Sequence, residues 1–195
     1  MFISFVFLFL FLLNCGSEKN KENKPQTQIN RPELPQGILH YTPPEDWIAE
    51  HPSSRMRRGQ YRLSGVDGKG DAILAIFNFP GTGGSVKANL DRWYRQMKQP
   101  NGSDTKAHVQ RKDIVVNGIP VTMIYVTGTY LQSASGMMRK GEVKEKPGYA
   151  MLAAIAETAD SPWFFKATGP KETIDKHRDN FEEFVQSFRV FNKES

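Results

Sequence analysis

A chain of 195 residues with 38% hydrophobic and 24% charged residues is long enough for one domain with a buried core and too short for two comfortable ones. Its single cysteine excludes an internal disulfide framework and any paired-cysteine metal site. The net charge of +5 favours acidic partners or anionic lipid headgroups without identifying either.

The chain opens with an uninterrupted apolar run over residues 2–13. A helix needs about 20 residues to span a bilayer, so this run has the length of a signal-peptide core instead. Leu12-Leu13-Asn14-Cys15 resembles a bacterial lipobox. No Lys or Arg precedes the run, and Asn14 stands where most lipoboxes carry Gly, Ala or Ser; the looser spirochaetal lipoboxes are more similar. The expectation is a lipoprotein signal peptide over 1–14, an acylated Cys15, and a polar tether to residue 37. Each buried methylene of an acyl chain adds about 0.8 kcal/mol, so several chains would hold the protein to a membrane. That membrane belongs to the cell envelope, with the outer membrane ranked ahead of the inner. Residues 16–36 carry Asn, Lys, Glu, Gln and Pro with almost nothing apolar, a composition that cannot offset its ordering entropy. One globular domain is expected over 38–195.

Within that domain, residues 38–41 read as a short strand stopped by Pro43-Pro44, and 45–54 as a loop with one helical turn. Strands are expected over 57–63 and 71–79, the second rich in β-branched and aromatic residues. A glycine-rich loop follows Pro80, and then a helix over 85–98. Ser85 can cap it, and Val86, Leu90, Trp93, Tyr94 and Met97 form its apolar stripe. Asn117-Gly118 between two strand-like runs, 107–116 and 119–130, is a strong hairpin signal. Residues 131–148 read as a long mobile loop. Two more strands, 149–158 and 163–168, lead to a last helix opened by Gly169-Pro170, with Ile174, His177, Phe181, Phe184, Val185 and Phe188 on one face. The expected fold class is α+β: an antiparallel sheet of about six to seven strands packed by two amphipathic helices.

The loop Gly81-Thr82-Gly83-Gly84 before a helix poses the question of phosphate binding. No lysine follows the last glycine as a Walker loop requires, and no acidic ribose ligand follows a second parallel strand. The glycines therefore serve a tight strand-to-helix turn, with anion contact at the helix N-terminus as the alternative. Arg55, Arg57 and Arg58 could supply counter-charge, and otherwise form a solvated face. His40, His51, His108 and His177 lack metal-ligand spacing and read as surface or half-buried imidazoles. Met137-Met138 could hold copper but reads better as a flexible apolar contact. There is no GxSxG nucleophile elbow. No catalytic residue, metal or cofactor is assigned, and no nucleic-acid partner; Phe77 and Phe79 are expected to face the core.

Several segments together resemble an uncharacterised family of bacterial exported proteins and lipoproteins: Trp47; Pro52-Ser53-Ser54-Arg55-Met56-Arg57; Gly70-Asp71-Ala72; Phe79-Pro80-Gly81-Thr82-Gly83-Gly84-Ser85-Val86-Lys87-Ala88-Asn89; and Arg92-Trp93. Val126-Thr127-Gly128-Thr129-Tyr130, Gly148-Tyr149-Ala150-Met151-Leu152 and Trp163-Phe164-Phe165-Lys166-Ala167-Thr168-Gly169-Pro170 fit the same pattern. That family carries no assigned activity. More distantly, a strand pair ending in WFFKATGP before a helix ending in VQSF is similar to the PsbP/Mog1-type domain, which implies an antiparallel sheet flanked by helices and a binding or accessory role. The first functional expectation is a membrane-anchored envelope lipoprotein acting as a non-enzymatic binding or accessory module. The alternative is an enzyme or transport accessory recognising a small anionic ligand at the 81–85 loop; a third reading is a structural surface protein. Ligand or partner contacts are sought at Arg55, Arg57, Arg58, Gly83, Gly84, Ser85, Arg92, Met137 and Met138, with lipidation at Cys15.

Overall fold

The computed structural model describes residues 33–133 and 143–191. Ten strands and three α-helices are described: β1 Ile38–His40, β2 Trp47–Ala49, β3 Arg57–Leu63, β4 Ala72–Asn78, α1 Val86–Tyr94, β5 Met97–Lys98, β6 Gln110–Val116, β7 Ile119–Ser133, β8 Val143–Ala156, β9 Trp163–Pro170, α2 Lys171–Lys176, α3 Arg178–Gln186 and β10 Arg189–Phe191. All pairings among them are antiparallel. The main sheet runs β2-β3-β4-β9-β8-β7-β5, with β6 sharing the outer edge of β7. It is thus seven positions wide, the α+β arrangement expected from the hairpin signals. β1 and β10 form a separate two-stranded ribbon.

Alternation along each strand divides the core between two faces. On one face Leu74, Ile76, Leu152, Ala154, Phe165 and Ala167 pack under α2 and α3. The expected stripe holds here: Ile174, His177, Phe181, Phe184, Val185 and Phe188 are all buried. On the other face α1 lays Leu90 and Trp93 over Ile124, Val126, Met151, Ala153, Ile155 and Phe164. The β6–β7 turn has φ of +50° at Asn117 and +80° at Gly118, the mirror-image turn that fits strand twist. The Asn117 side chain also donates to the Phe188 carbonyl at 2.9 Å.

Several boundaries differ from the sequence reading. Residues 47–49 are a strand rather than a loop with a helical turn, because Trp47 inserts into the core opposite Leu63. The first helix stops at Tyr94, and Met97 is buried from an edge strand paired with Tyr130. Of the supposed loop 131–148, residues 131–133 and 143–148 belong to the long strands β7 and β8, paired from Ser133↔Val143 to Val121↔Ala156 with one slip between Gly128 and Tyr130. Pro170 ends β9 and caps the next helix, rather than occupying its first turn. The last helix is two: the backbone turns at His177 (φ −97°, ψ 10°), whose N–H donates to Ile174 at 3.1 Å. His177 itself is not a surface or half-buried imidazole. It is 1% exposed, accepts the Trp47 indole N–H at Nδ1 (3.3 Å) and donates from Nε2 to the Ser64 carbonyl (3.1 Å). Both ring nitrogens are spent on tying α2–α3 to β2 and β3.

Candidate functional site

Helix α1 covers only part of its face of the sheet. On this face register places Gln60, Ala75, Lys166 and Ala153 in one row across β3, β4, β9 and β8, with Ala153 under the helix and the rest running out from it. The two alanines beside Lys166 reach no further than a methyl group. The row therefore leaves space around the lysine, and larger side chains from outside the row wall that space.

Three cations converge there, each held by the oxygen of a neutral amide. Lys166 Nζ donates to Gln96 Oε1 at 2.8 Å. Arg92 Nη2 donates to Asn89 Oδ1 at 2.6 Å, and Arg57 Nη1 donates to Gln60 Oε1. Among the described residues none of the three makes an ion pair with a carboxylate. Asp71 at the cleft margin and Glu50 beside Gln60 are both engaged by Arg62, at 3.2 and 2.9 Å. Amide oxygens orient these cations without neutralising them, and among the described residues most of their N–H donors have no other partner. Burial, then Arg92 and Arg57, pulls the Lys166 ammonium from 10.5 down to about 8. Burial likewise lowers both arginines from their ordinary value and raises Tyr130, whose ring centroid lies 5.8 Å from Lys166 Nζ.

The cleft has two adjoining compartments of about 320 Å³ each, and Arg57, Phe77 and Lys166 line both. One is polar, walled by Gln60, Gln132, Thr168 and the stacked rings of Tyr130 and Tyr149 (6.3 Å, 8°). The other is apolar, walled by Met56, Phe79, Trp93 and Phe164, with Arg92 and Gln96 at its side.

Local backbone irregularities build this arrangement. In β3 the register slips between Arg57, opposite Phe77, and Gly59, opposite Ile76. This bulge turns Arg57 to the α1 face and sends Arg58 to the opposite one, where it joins Tyr41, Asn78 and Trp163 along a different groove. A second slip lies between Gly128 and Tyr130 in β7, with Gly148 of β8 at φ +70°. Gln96 is fixed by its own backbone, donating to Trp93 at 3.0 Å and accepting from Leu131 at 2.8 Å.

Of the residues singled out from sequence, the structure brings Arg57 and Arg92 together in the cleft. Arg55 and Arg58 are exposed elsewhere. Gly83, Gly84 and Ser85 do not line the cleft. Gly84, at φ +71°, makes the turn into α1, and the Ser85 hydroxyl accepts the Ala88 N–H at 3.2 Å. The loop still touches the site indirectly: Asn89, whose Oδ1 holds Arg92, donates from Nδ2 to the Gly83 carbonyl at 2.7 Å. Phe77 and Phe79 are half-buried at the cleft rim rather than sealed in the core. Met137, Met138 and Cys15 lie outside the described residues. No group of three potential metal ligands occurs among the described residues, and none of their helices is long and apolar enough to cross a membrane. Lys166, Gln60, Gln96 and Tyr130 were not singled out. The available signal was Lys166 itself, the one charge inside the strand WFFKATGP.

No family model and no curated protein matches the chain. Solved structures similar in fold include PA94 of Pseudomonas aeruginosa, a protein of unknown function, at 11% identity and a TM-score of 0.45, covering 82% of this chain and 100% of that one. LpqN of Mycobacterium tuberculosis, involved in cell envelope biogenesis, has 11% identity and a TM-score of 0.45, covering 78% and 82%. Cyanobacterial PsbP (CyanoP) of Synechocystis sp. PCC 6803 has 15% identity and a TM-score of 0.42, covering 80% and 95%. At these values the likenesses carry no argument about activity, ligand or partner.

Proposed function

We propose that this chain is a membrane-tethered binding module whose cleft takes an anion between Arg57, Arg92 and Lys166. One observation carries the reading: three half-buried cations share a cleft, each oriented by a neutral amide oxygen and none paired with a carboxylate among the described residues. Holding like charges together away from water costs stability, and a bound anion returns it through charge-assisted hydrogen bonds. The ligand locus is thus the cleft, to which the 81–85 loop contributes support through Asn89.

Sulfate keeps its charge from pH 6 upward and is a suitable probe. Calorimetric titration is expected to show one site, with Arg57→Ala and Arg92→Ala each weakening it about tenfold or more, since a hydrogen bond to a charged group contributes roughly 1.5–3 kcal/mol. Sulfate that fails to bind, or binds both variants as it binds the parent, refutes the anion reading.

The tether rests on the apolar run before Cys15 and the polar segment after it. Cys15→Ala is expected to remove acyl chains and move the protein from the membrane to the soluble fraction. Membrane retention with full-strength acyl labelling in that variant would rule the anchor out.

A further inference from the structure

Resting on the anion reading, we propose that the ligand is an amphiphile: an acidic head bound by Arg57, Arg92 and Lys166, joined to an apolar body that fills the compartment of Phe77, Phe79 and Met56. The cations and the apolar walls are not separate features. Arg57, Phe77 and Lys166 line both compartments, and Arg92 flanks the apolar one. A free inorganic anion would use the polar compartment and the cations, leaving the apolar one wet.

The apolar compartment is built as a receiving surface. Phe77 and Phe79 stack at 5.9 Å with a 23° interplanar angle, and Phe79 leans on Phe164 at 6.1 Å. Trp93, 3% exposed, closes its inner end, while Met56 at 42% exposure stands at its mouth. Two half-buried phenylalanines and an open methionine, beside three cations that have no carboxylate partner among the described residues, are a poor match for water. They match a molecule whose charge and hydrocarbon lie a few ångströms apart. Met56 supplies the adaptable contact that chains of varied shape require. Positive charge at the mouth draws in the acidic end, and the walls then hold the chain.

The test compares decanoate, acetate and decanol by calorimetry, each in competition with sulfate. Each buried methylene contributes about 0.8 kcal/mol, so decanoate is expected to bind at least tenfold tighter than acetate. Decanol should not displace sulfate. Phe79→Ser and Met56→Ser, both at the rim, should each narrow the decanoate-to-acetate ratio to less than threefold, and Lys166→Met should abolish decanoate binding. Equal affinities for decanoate and acetate would overturn the amphiphile and leave the anion site standing. Decanol binding as tightly as decanoate would likewise overturn the amphiphile alone, whereas no binding by decanoate, acetate or sulfate would overturn both. An acidic head on a hydrocarbon chain could be a free acid or a membrane lipid. Stronger binding to phosphatidylcholine vesicles carrying phosphatidic acid than to dissolved decanoate, lost in Lys166→Met, assigns the lipid; the reverse order assigns the free acid.

Discussion

Lys166→Met is expected to abolish sulfate binding and, at pH 7, to raise the unfolding midpoint. The two effects share one cause. Among the described residues Arg57 and Gln60 from β3, Tyr130 from β7, and Arg92 with Gln96 from α1 and its end surround the ammonium without a negative charge, and Asp71, the carboxylate lining the same compartment, is paired with Arg62. The folded chain therefore holds this proton less readily than the unfolded chain, at about 8 against 10.5. Between these values the unfolded state binds more protons, so stability rises with pH across this window and the cost of the charged lysine is fully felt below pH 8. Methionine keeps the stem's apolar contacts and removes the charge. The gain is about 1–3 kcal/mol at pH 7, or roughly 3–8 °C for a domain of this size. In the parent protein the midpoint should climb from pH 8 to pH 10, and in the variant this climb should disappear. Sulfate affinity in the parent should fall over the same range as the ammonium is lost, while Arg57 and Arg92 keep their charge. A variant less stable than the parent at pH 7 would mean that Lys166 is a structural residue. Removing a group that the fold holds at a loss is how a binding residue is told from a packing residue.

The elements were more legible than the site, for reasons visible in particular residues. Phe181, Phe184 and Phe188 repeat at helical spacing, and Asn117-Gly118 forces both left-handed turn positions; such local signals survive into the fold. The edge strand at 47–49 left no such mark, because only Trp47 of its three residues is buried. Residues 143–148 carry three charges, a proline and a glycine yet belong to a strand, the backbone of 143–146 being paired with Ser133, Gln132, Leu131 and Tyr130. The cleft was legible only in part. Arg57 and Arg58 are equivalent in sequence, and a bulge between Arg57 and Gly59 decides which one faces α1. Gln96 and Lys166 lie 70 residues apart and meet only because α1 ends over β9. A lysine flanked by Phe164-Phe165 and Ala167 was nevertheless a readable anomaly. In a strand buried on both faces, an interior charge marks either an error of assignment or a site.

Phe184→Ala is expected to produce the largest loss of stability of any single truncation on the α2–α3 face, while leaving the cleft intact. Phe184 is 1% exposed and lies at the centre of an aromatic cluster. Its ring centroid is 5.1 Å from Trp47, 5.3 Å from Phe188, 5.4 Å from Tyr41, 5.5 Å from Phe165 and 6.1 Å from Phe181. Those partners come from α3, β2, β9 and the segments beside β1 and β10, so one ring bridges the helices, the main sheet and the approach to the ribbon. None of them can fill the void without leaving another contact. A Phe→Ala change in such a setting costs about 3–5 kcal/mol, a large share of the roughly 5–15 kcal/mol that stabilises a typical domain. Urea unfolding should show the midpoint fall with little change in slope, and Phe184→Leu should recover more than half of the loss. Phe165 faces this cluster while its neighbour Lys166 faces the cleft, so the sheet itself separates the two. Well below its transition, Phe184→Ala should therefore bind sulfate as the parent does. A loss under about 1 kcal/mol would show that the helices do not close this core as described, and a weakened sulfate site in the folded variant would show that the two faces are coupled through the sheet.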